Sequence, residues 1–187
     1  YAAAFTAESI DEIIEAGLSG IPAESQFYQV QQDVIDCYNE GLTWEEAWYV
    51  IDEKWTNDRC PSGLYDAGFN IDAKMNSAYI TMGLLYGEGD VEQSMLISMR
   101  CGQDSDCNPA SVGGILGCFY GYEALDDKWS SALDWDGATF QYTDYTFNGA
   151  IEANLEAAQS VIEACGGKVE DGVWTIPTSE TEGTIIL

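Results

Sequence analysis

Apolar residues along most of this chain recur at intervals of three and four, the period of an α-helix that buries one face. Ser9 opens such a helix, with Ile10, Ile13 and Ile14 on one side and an end near Gly17. A second is expected from Pro22 to about Glu40, where Phe27, Val30, Val34 and Cys37 align. Thr43-Trp44-Glu45-Glu46 has the form of a capping box, in which hydroxyl and carboxylate satisfy each other's backbone N–H groups. It starts a third helix through Trp48, Ile51 and Trp55. Residues 56–70, rich in Asn, Asp, Pro and Gly, are the longest irregular stretch. Beyond them the pattern predicts an apolar helix from Asp72 to Tyr86 and a short one capped by Asp90. Another short helix is expected at Lys128-Trp129, then a long one opened by Thr146 and ended by Gly166-Gly167.

The period changes in the tail. Residues 168–177 alternate around Asp171-Gly172, a strong hairpin signal. Residues 178–183 are polar and linker-like, and Thr184-Ile185-Ile186-Leu187 reads as a short apolar strand, an exposed edge unless it is paired. The fold class is therefore all-α, a multi-helix domain over 1–167 followed by a hairpin, linker and strand over 168–187. No internal repeat is present.

Composition narrows the choice of partner. A chain of 187 residues with 46% hydrophobic content can build a sizeable core and is not of disordered type. Its 33 acidic residues against 6 basic ones give a net charge of −27, which repels nucleic-acid phosphates and anionic membranes. No nucleic-acid or membrane partner is expected. An acid excess of this size suits a salt-rich or an extracellular setting. The absence of His removes Ser-His and Cys-His catalysis and the usual zinc site, leaving carboxylates and metal.

Six cysteines show no CxxC pair. Cys118 and Cys165 fall in helical apolar patterns and read as core thiols, while Cys37 and Cys60 could form a disulfide in an exported protein. Trp44, Trp48 and Trp55 fall at helical spacing and read as packing rather than a sugar platform. Tyr120 and Tyr122 read as packing too, with the edge of a ligand cleft as the alternative. Asn76, on the helix leading toward the loop described next, is a candidate polar contact.

Chemistry concentrates in Met99-Arg100-Cys101-Gly102-Gln103-Asp104-Ser105-Asp106-Cys107-Asn108-Pro109. Two carboxylates one residue apart on a loop can turn toward one point, and hard oxygen donors so placed suit magnesium or calcium. A plain acidic loop is the competing reading, with Asn108 as N-cap and Pro109 at the first helical position. An EF-hand is excluded, because Pro109 and Ile115 stand where that loop needs Gly and Glu. The helix that follows carries Gly113, Gly117 and Gly121, one nearly bare face that another helix could approach. Each such glycine costs about 1 kcal/mol relative to alanine, so tight packing is expected in return. A membrane-spanning small-residue motif is excluded by the short apolar run.

Gly102-Gln103-Asp104-Ser105-Asp106-Cys107, the glycine-studded helix after it, and Lys128-Trp129 before the next helix resemble the second metal motif of the ADP-ribosylglycohydrolase family. The likeness is sharp over 99–129 and looser over about 8–167. It implies an all-helical, orthogonal domain that binds two magnesium ions and hydrolyses the bond between ADP-ribose and an acceptor, with calcium a possible substitute cation. Carried onto this chain, it makes Asp104 and Asp106 the catalytic residues and metal ligands, with Cys107 in the third donor position. It places Gly102, Gln103, Ser105 and Asn108 against substrate. The implied partner is an ADP-ribosylated protein or small molecule.

Two departures matter. Cys107 stands where the family usually has threonine, and a thiol is a soft donor poorly matched to magnesium. The family's first metal motif, a Thr-Asp-Asp cluster near the N-terminus of the full domain, has no counterpart before Asp104. The expectation is that 1–167 is the C-terminal part of the domain and that upstream polypeptide is a partner in the site. Tyr142-Thr143-Asp144-Tyr145-Thr146 echoes the missing cluster but reads as a helix start, capped by Asp144 or Thr146. Two function classes follow: a metal-dependent hydrolase of ADP-ribose linkages, and a non-catalytic binding or assembly module derived from that fold, its metal site structural.

Overall fold

Ser9, Ser25, Thr43, Asp72, Asp90 and Thr146 each accept, on a side-chain oxygen, the backbone N–H three residues further on. Each contact satisfies one of the four N–H groups that a helix start leaves unpaired. These residues begin α1 (Ile10–Ser19), α2 (Gln26–Asn39), α3 (Trp44–Trp55), α4 (Ala73–Tyr86), α5 (Val91–Arg100) and α7 (Phe147–Ala164). The remaining helix, α6 (Cys107–Tyr120), starts differently. A computed structural model describes residues 1–56 and 71–177. Most of the irregular stretch, the polar linker and the terminal apolar strand read from the sequence lie outside the described residues.

The fold is all-α with a short antiparallel hairpin, β1 (Lys168–Glu170) and β2 (Val173–Thr175), paired with Val169 opposite Trp174. Asp171 and Gly172 join the strands with φ of 50° and 76°, the left-handed pair that a type I′ turn requires. The start of α2 is a correction to the sequence reading. Pro22 belongs to a turn in which Ser25 N–H donates to the Pro22 carbonyl, and Ser25 is the cap.

Two compact units divide the chain, 1–126 and 127–187. In the first, α4 is the central helix. It is buried on nearly every side, as a helix surrounded by others is, and it packs against α1, α2, α3, α5 and α6. Met75, Ala78 and Met82 of α4 are fully buried with Val30 and Val34 of α2, Ile51 of α3 and Val112 and Leu116 of α6. One buried amide ties α2 to α4: Gln31 Nε2 donates to Ser77 Oγ at 2.6 Å and Gln31 Oε1 accepts from the Thr81 hydroxyl. Trp55 Nε1 donates to Asp33 at 2.7 Å, and Lys54 pairs with the same carboxylate, joining α3 to α2. Trp55 thus serves packing with its indole N–H committed on the inside.

The glycines act only in part where the sequence pointed, at Gly113 but not at Gly117 or Gly121. A β-carbon on Gly113 would meet Met95 Sδ of α5 at 3.2 Å, but on Gly117 it would meet only Leu125 at 3.7 Å, and Gly121 ends the helix at φ 82° with nothing beside it. The tightest helix crossing lies instead between α4 and α5. A β-carbon on Gly83 would fall 2.6 Å from the Ser94 carbonyl oxygen and 2.7 Å from Ser98 Cβ. Small residues four apart on both helices, Gly83 and Gly87 against Ser94 and Ser98, let the backbones approach. That paired spacing was the available signal.

In the second unit, a single helical turn at Asp127–Trp129 holds Lys128-Trp129, and Thr146 rather than Asp144 caps α7. No residue of α7 is buried. Cys165 is exposed at the α7 C-terminus, and Cys118 is only partly buried, so neither is a core thiol. Cys37 is a buried free thiol, and Cys60, the partner the sequence offered it, lies outside the described residues. No helix among the described residues is long and apolar enough to cross a membrane.

Candidate metal centre

The loop from Cys101 to Asp106 joins α5 to α6, and its path is set from outside. Trp48 Nε1 of α3 donates to the Cys101 carbonyl at 2.8 Å, anchoring the end of α5. Gly102 and Gln103 then take φ of 89° and 59°. The first suits glycine; the second costs a side-chain-bearing residue on the order of 1 kcal/mol or more, strain that persists only where surroundings impose it. Asp104 N–H donates to Asn76 Oδ1 of α4 at 3.0 Å, and Ser105 N–H to the Gln103 carbonyl at 3.0 Å.

These constraints bring Asp104, Asp106 and Cys107 together, with one ligand atom from each lying within 4.8 Å of the others. Asp104 is partly buried, while Asp106 and Cys107 are exposed. Asp106 stands at the N-cap of α6 without making the side-chain cap bond that the other described α-helices have at their starts. Its carboxyl is held below the usual range, first by a hydrogen bond with the Asp104 side chain, then by the N–H groups of Asp106 and Cys107. The Cys107 thiol is pushed up, first by its hydrogen bond to Asp104 and then by the charge of that carboxylate. A thiol kept protonated is a poor metal ligand.

The donor chemistry fits a hard cation in part. Two carboxylates at this separation suit magnesium or calcium, and the N-terminus of α6 adds a partial positive charge beneath them. The Cys107 thiol does not suit magnesium.

Other candidates fall elsewhere. Gly102 and Gln103 shape the loop, and Ser105 is exposed at its turn. Asn108, offered above as a substrate contact and alternatively as the cap, is 2% exposed and lies in the first turn of α6, its Nδ2 donating to Asn76 Oδ1 at 2.7 Å. Pro109 consequently occupies the third helical position, still within the turn where a missing N–H costs nothing. Tyr120 and Tyr122 are exposed rather than packed, and the Tyr120 hydroxyl donates to the Gly89 carbonyl at 2.9 Å. Asn76 and Trp48 hold the loop from 28 and 53 positions away. Trp48 entered the sequence reading only as packing, and nothing local marks its role.

An all-helical domain carrying a paired-carboxylate loop between two helices is the class that fold and site define. The family model for ADP-ribosylglycohydrolase matches residues 1–164, and the chain belongs to that family, which supports a glycohydrolase-type function. No curated protein and no solved structure matches the chain.

Proposed function

We propose that this chain takes part in hydrolysis of the glycosidic bond that joins ADP-ribose to an acceptor on a protein or small molecule, with Asp104 and Asp106 holding a magnesium ion. The carrying observation is the convergence of the two carboxylates on a loop braced from α3 and α4, in a chain that belongs to this family. A divalent cation bound there supplies Lewis acidity toward ribose hydroxyls and orients water. The residues do the rest. Asp104 is fixed through its backbone N–H, so that its main chain need not be ordered on binding, and Asp106 makes no side-chain cap bond into α6. Cys107 stays beside the carboxylates as a thiol and would leave the holding of the ion to Asp104 and Asp106. The start of α6 offers its partial positive charge to an anionic ligand that the −27 net charge would otherwise repel. Donors for a second ion, and a carboxylate to assist proton transfer, would have to come from outside this loop.

The soft thiol and the single-loop donor set favour a second reading, a binding module whose cation is structural. Release of ADP-ribose from modified peptides and small-molecule conjugates, with and without Mg2+, separates the two. Activity that needs Mg2+ and is lost in Asp104→Ala and Asp106→Ala supports the hydrolase. Full activity in both variants sinks the site, and cation binding without turnover selects the module.

A further inference from the structure

We infer that Asn76 is the positioning residue of the carboxylate loop, and that its one amide oxygen sets the affinity of the site for a divalent cation. The inference rests on the reading of Asp104 and Asp106 as cation ligands. It concerns a residue on a different element that touches neither cation nor substrate.

Three hydrogen bonds form a closed ring. Asn76 Oδ1 accepts from Asp104 N–H at 3.0 Å and from Asn108 Nδ2 at 2.7 Å. Asn108 N–H in turn donates to the Asp104 carbonyl at 3.0 Å. The five residues from Asp104 to Asn108 are thereby closed at their base, with Asp106 and Cys107 at the open end. Asn76 is itself held: its Nδ2 donates to the Asp72 carbonyl at 3.0 Å, one helical turn back, which fixes the direction in which Oδ1 points. Asn76 and Asn108 are 8% and 2% exposed, so water does not compete for these bonds. Asp104 is then pinned on both its N–H and its carbonyl, and only its side chain is left to serve the cation.

The consequence is energetic. With both carboxylates charged, as a cation requires, Asp104 and Asp106 repel one another, and an unbraced loop would relax by moving them apart. A ring that holds the backbone against that repulsion meets the ordering cost before the cation arrives, which is where affinity is gained. Supporting residues of this kind around metal sites typically change affinity 10- to 100-fold when removed. Removing Asn76 opens two of the three edges, and removing the Asn108 side chain opens one.

The test measures Mn2+ binding to the 187-residue chain at ~0.15 M salt, where diffuse binding to the acidic surface is screened. Wild type, Asn76→Ala, Asn108→Ala and Gln31→Ala are compared, with Asp104→Ala and Asp106→Ala defining the specific site. Gln31 is the control, a buried amide with two side-chain partners whose bonds join α2 to α4 away from the loop. The expected result is affinity lowered about 10-fold or more in Asn76→Ala, less in Asn108→Ala, and within about twofold of wild type in Gln31→Ala, though Gln31→Ala also lowers the melting temperature. Equal losses in Asn76→Ala and Gln31→Ala would make the effect one of general stability and overturn the inference, as would wild-type affinity in Asn76→Ala. Should Asn76→Ala fail to fold, Asn108→Ala decides, with unchanged affinity there counting against the ring. Amide exchange gives a cation-free readout: Asp104 N–H is protected in wild type and loses that protection in Asn76→Ala, which removes its acceptor, more than in Asn108→Ala, which leaves the acceptor in place. A wild type with no Mn2+ site dependent on Asp104 and Asp106 removes the metal reading and this inference with it, an outcome distinct from a site that persists without Asn76.

Discussion

Gly87 and Ser94 lie so close that a β-carbon on the glycine would overlap Ser94 Oγ and sit 2.6 Å from Ser94 Cα. The contact involves backbone, so it cannot be relieved by turning a side chain. Gly87→Ala and Gly83→Ala are therefore expected to destabilise the protein by about 1–3 kcal/mol, the usual cost of overpacking, with the better helix propensity of alanine recovering only part at Gly83. Gly17→Ala, on an exposed part of α1 with nothing within 4 Å, should instead stabilise by about 0.5–1 kcal/mol. Denaturant titration of the three variants checks the pattern, and a stabilised Gly87→Ala would refute the close crossing. The hydroxyls of Ser94 and Ser98 are buried without a hydrogen-bond partner among the described residues, so Ser98→Ala, which keeps the size and removes the polar atom, should be neutral or stabilising by about 1 kcal/mol.

Alkaline stability is expected to depend on Cys101. Burial first, and the charge of Glu45 second, push this thiol from 9.0 up to about 12. The folded state then holds the proton more tightly than the unfolded chain. The contribution is fully present below the unfolded pKa and is lost as pH rises through the folded one. Between those limits one such group changes stability by about 1.4 kcal/mol per pH unit. Burial pushes Cys37 and Tyr86 in the same direction, so the alkaline limb is shared. Stability measured at several pH values from roughly 8.5 to 10.5 should fall less steeply in Cys101→Ala than in wild type; identical slopes would contradict the shift.

The start of α3 gives the opposite sign. Glu46 is held below its usual range, first by the Thr43 backbone N–H and then by the Thr43 hydroxyl. Its contribution is present above the unfolded pKa and disappears as pH falls through the lowered folded value. Glu46→Gln should flatten that part of the acid limb, and Thr43→Ala should cost about 1 kcal/mol near neutral pH. Acid titration of circular dichroism for the three proteins tests both, and an acid limb unchanged in Glu46→Gln counts against the capping box.

Removing the Asp104 carboxylate from the loop should have effects of opposite sign with and without cation. In a chelator, Asp104→Asn removes one of two neighbouring like charges, so its melting temperature is expected to stay or rise, whereas Asp106→Asn also gives up hydrogen bonds that favour the charged carboxylate and is expected to melt lower. With Mg2+ at about 100 times the dissociation constant, wild type gains about 2.7 kcal/mol by linkage and the variants do not. Thermal melts with a chelator, Mg2+ or Ca2+ make the comparison. An equal response to Mg2+ in all three proteins would show that the cation acts on the general acidic surface and not on this loop.

Much of the local structure was legible because its causes are local. Ser9, Thr43, Asp72, Asp90 and Thr146 start helices through bonds to residues three positions on, and Asp171-Gly172 turns the hairpin through its own two dihedral angles. The same logic misplaced the start of α6. Asn108-Pro109 has the local form of a cap and first helical residue, yet the helix begins at Cys107, because the Asn108 side chain is taken by an amide 32 positions away. The glycines misled in a related way: spacing on one helix shows where side chains are missing, and a second helix with small residues of its own decides which gap is filled.

What this sequence determined by itself is the set of helices, the hairpin and the presence of two adjacent carboxylates, all governed by neighbours within a few residues. Tertiary structure alone decided how that loop is held. The Trp48 indole reaches the Cys101 carbonyl across 53 positions and the Asn76 amide reaches Asp104 across 28. The physical reason is that a buried polar group must find a partner, and which partner lies within 3 Å is settled only when α3, α4 and α6 have packed.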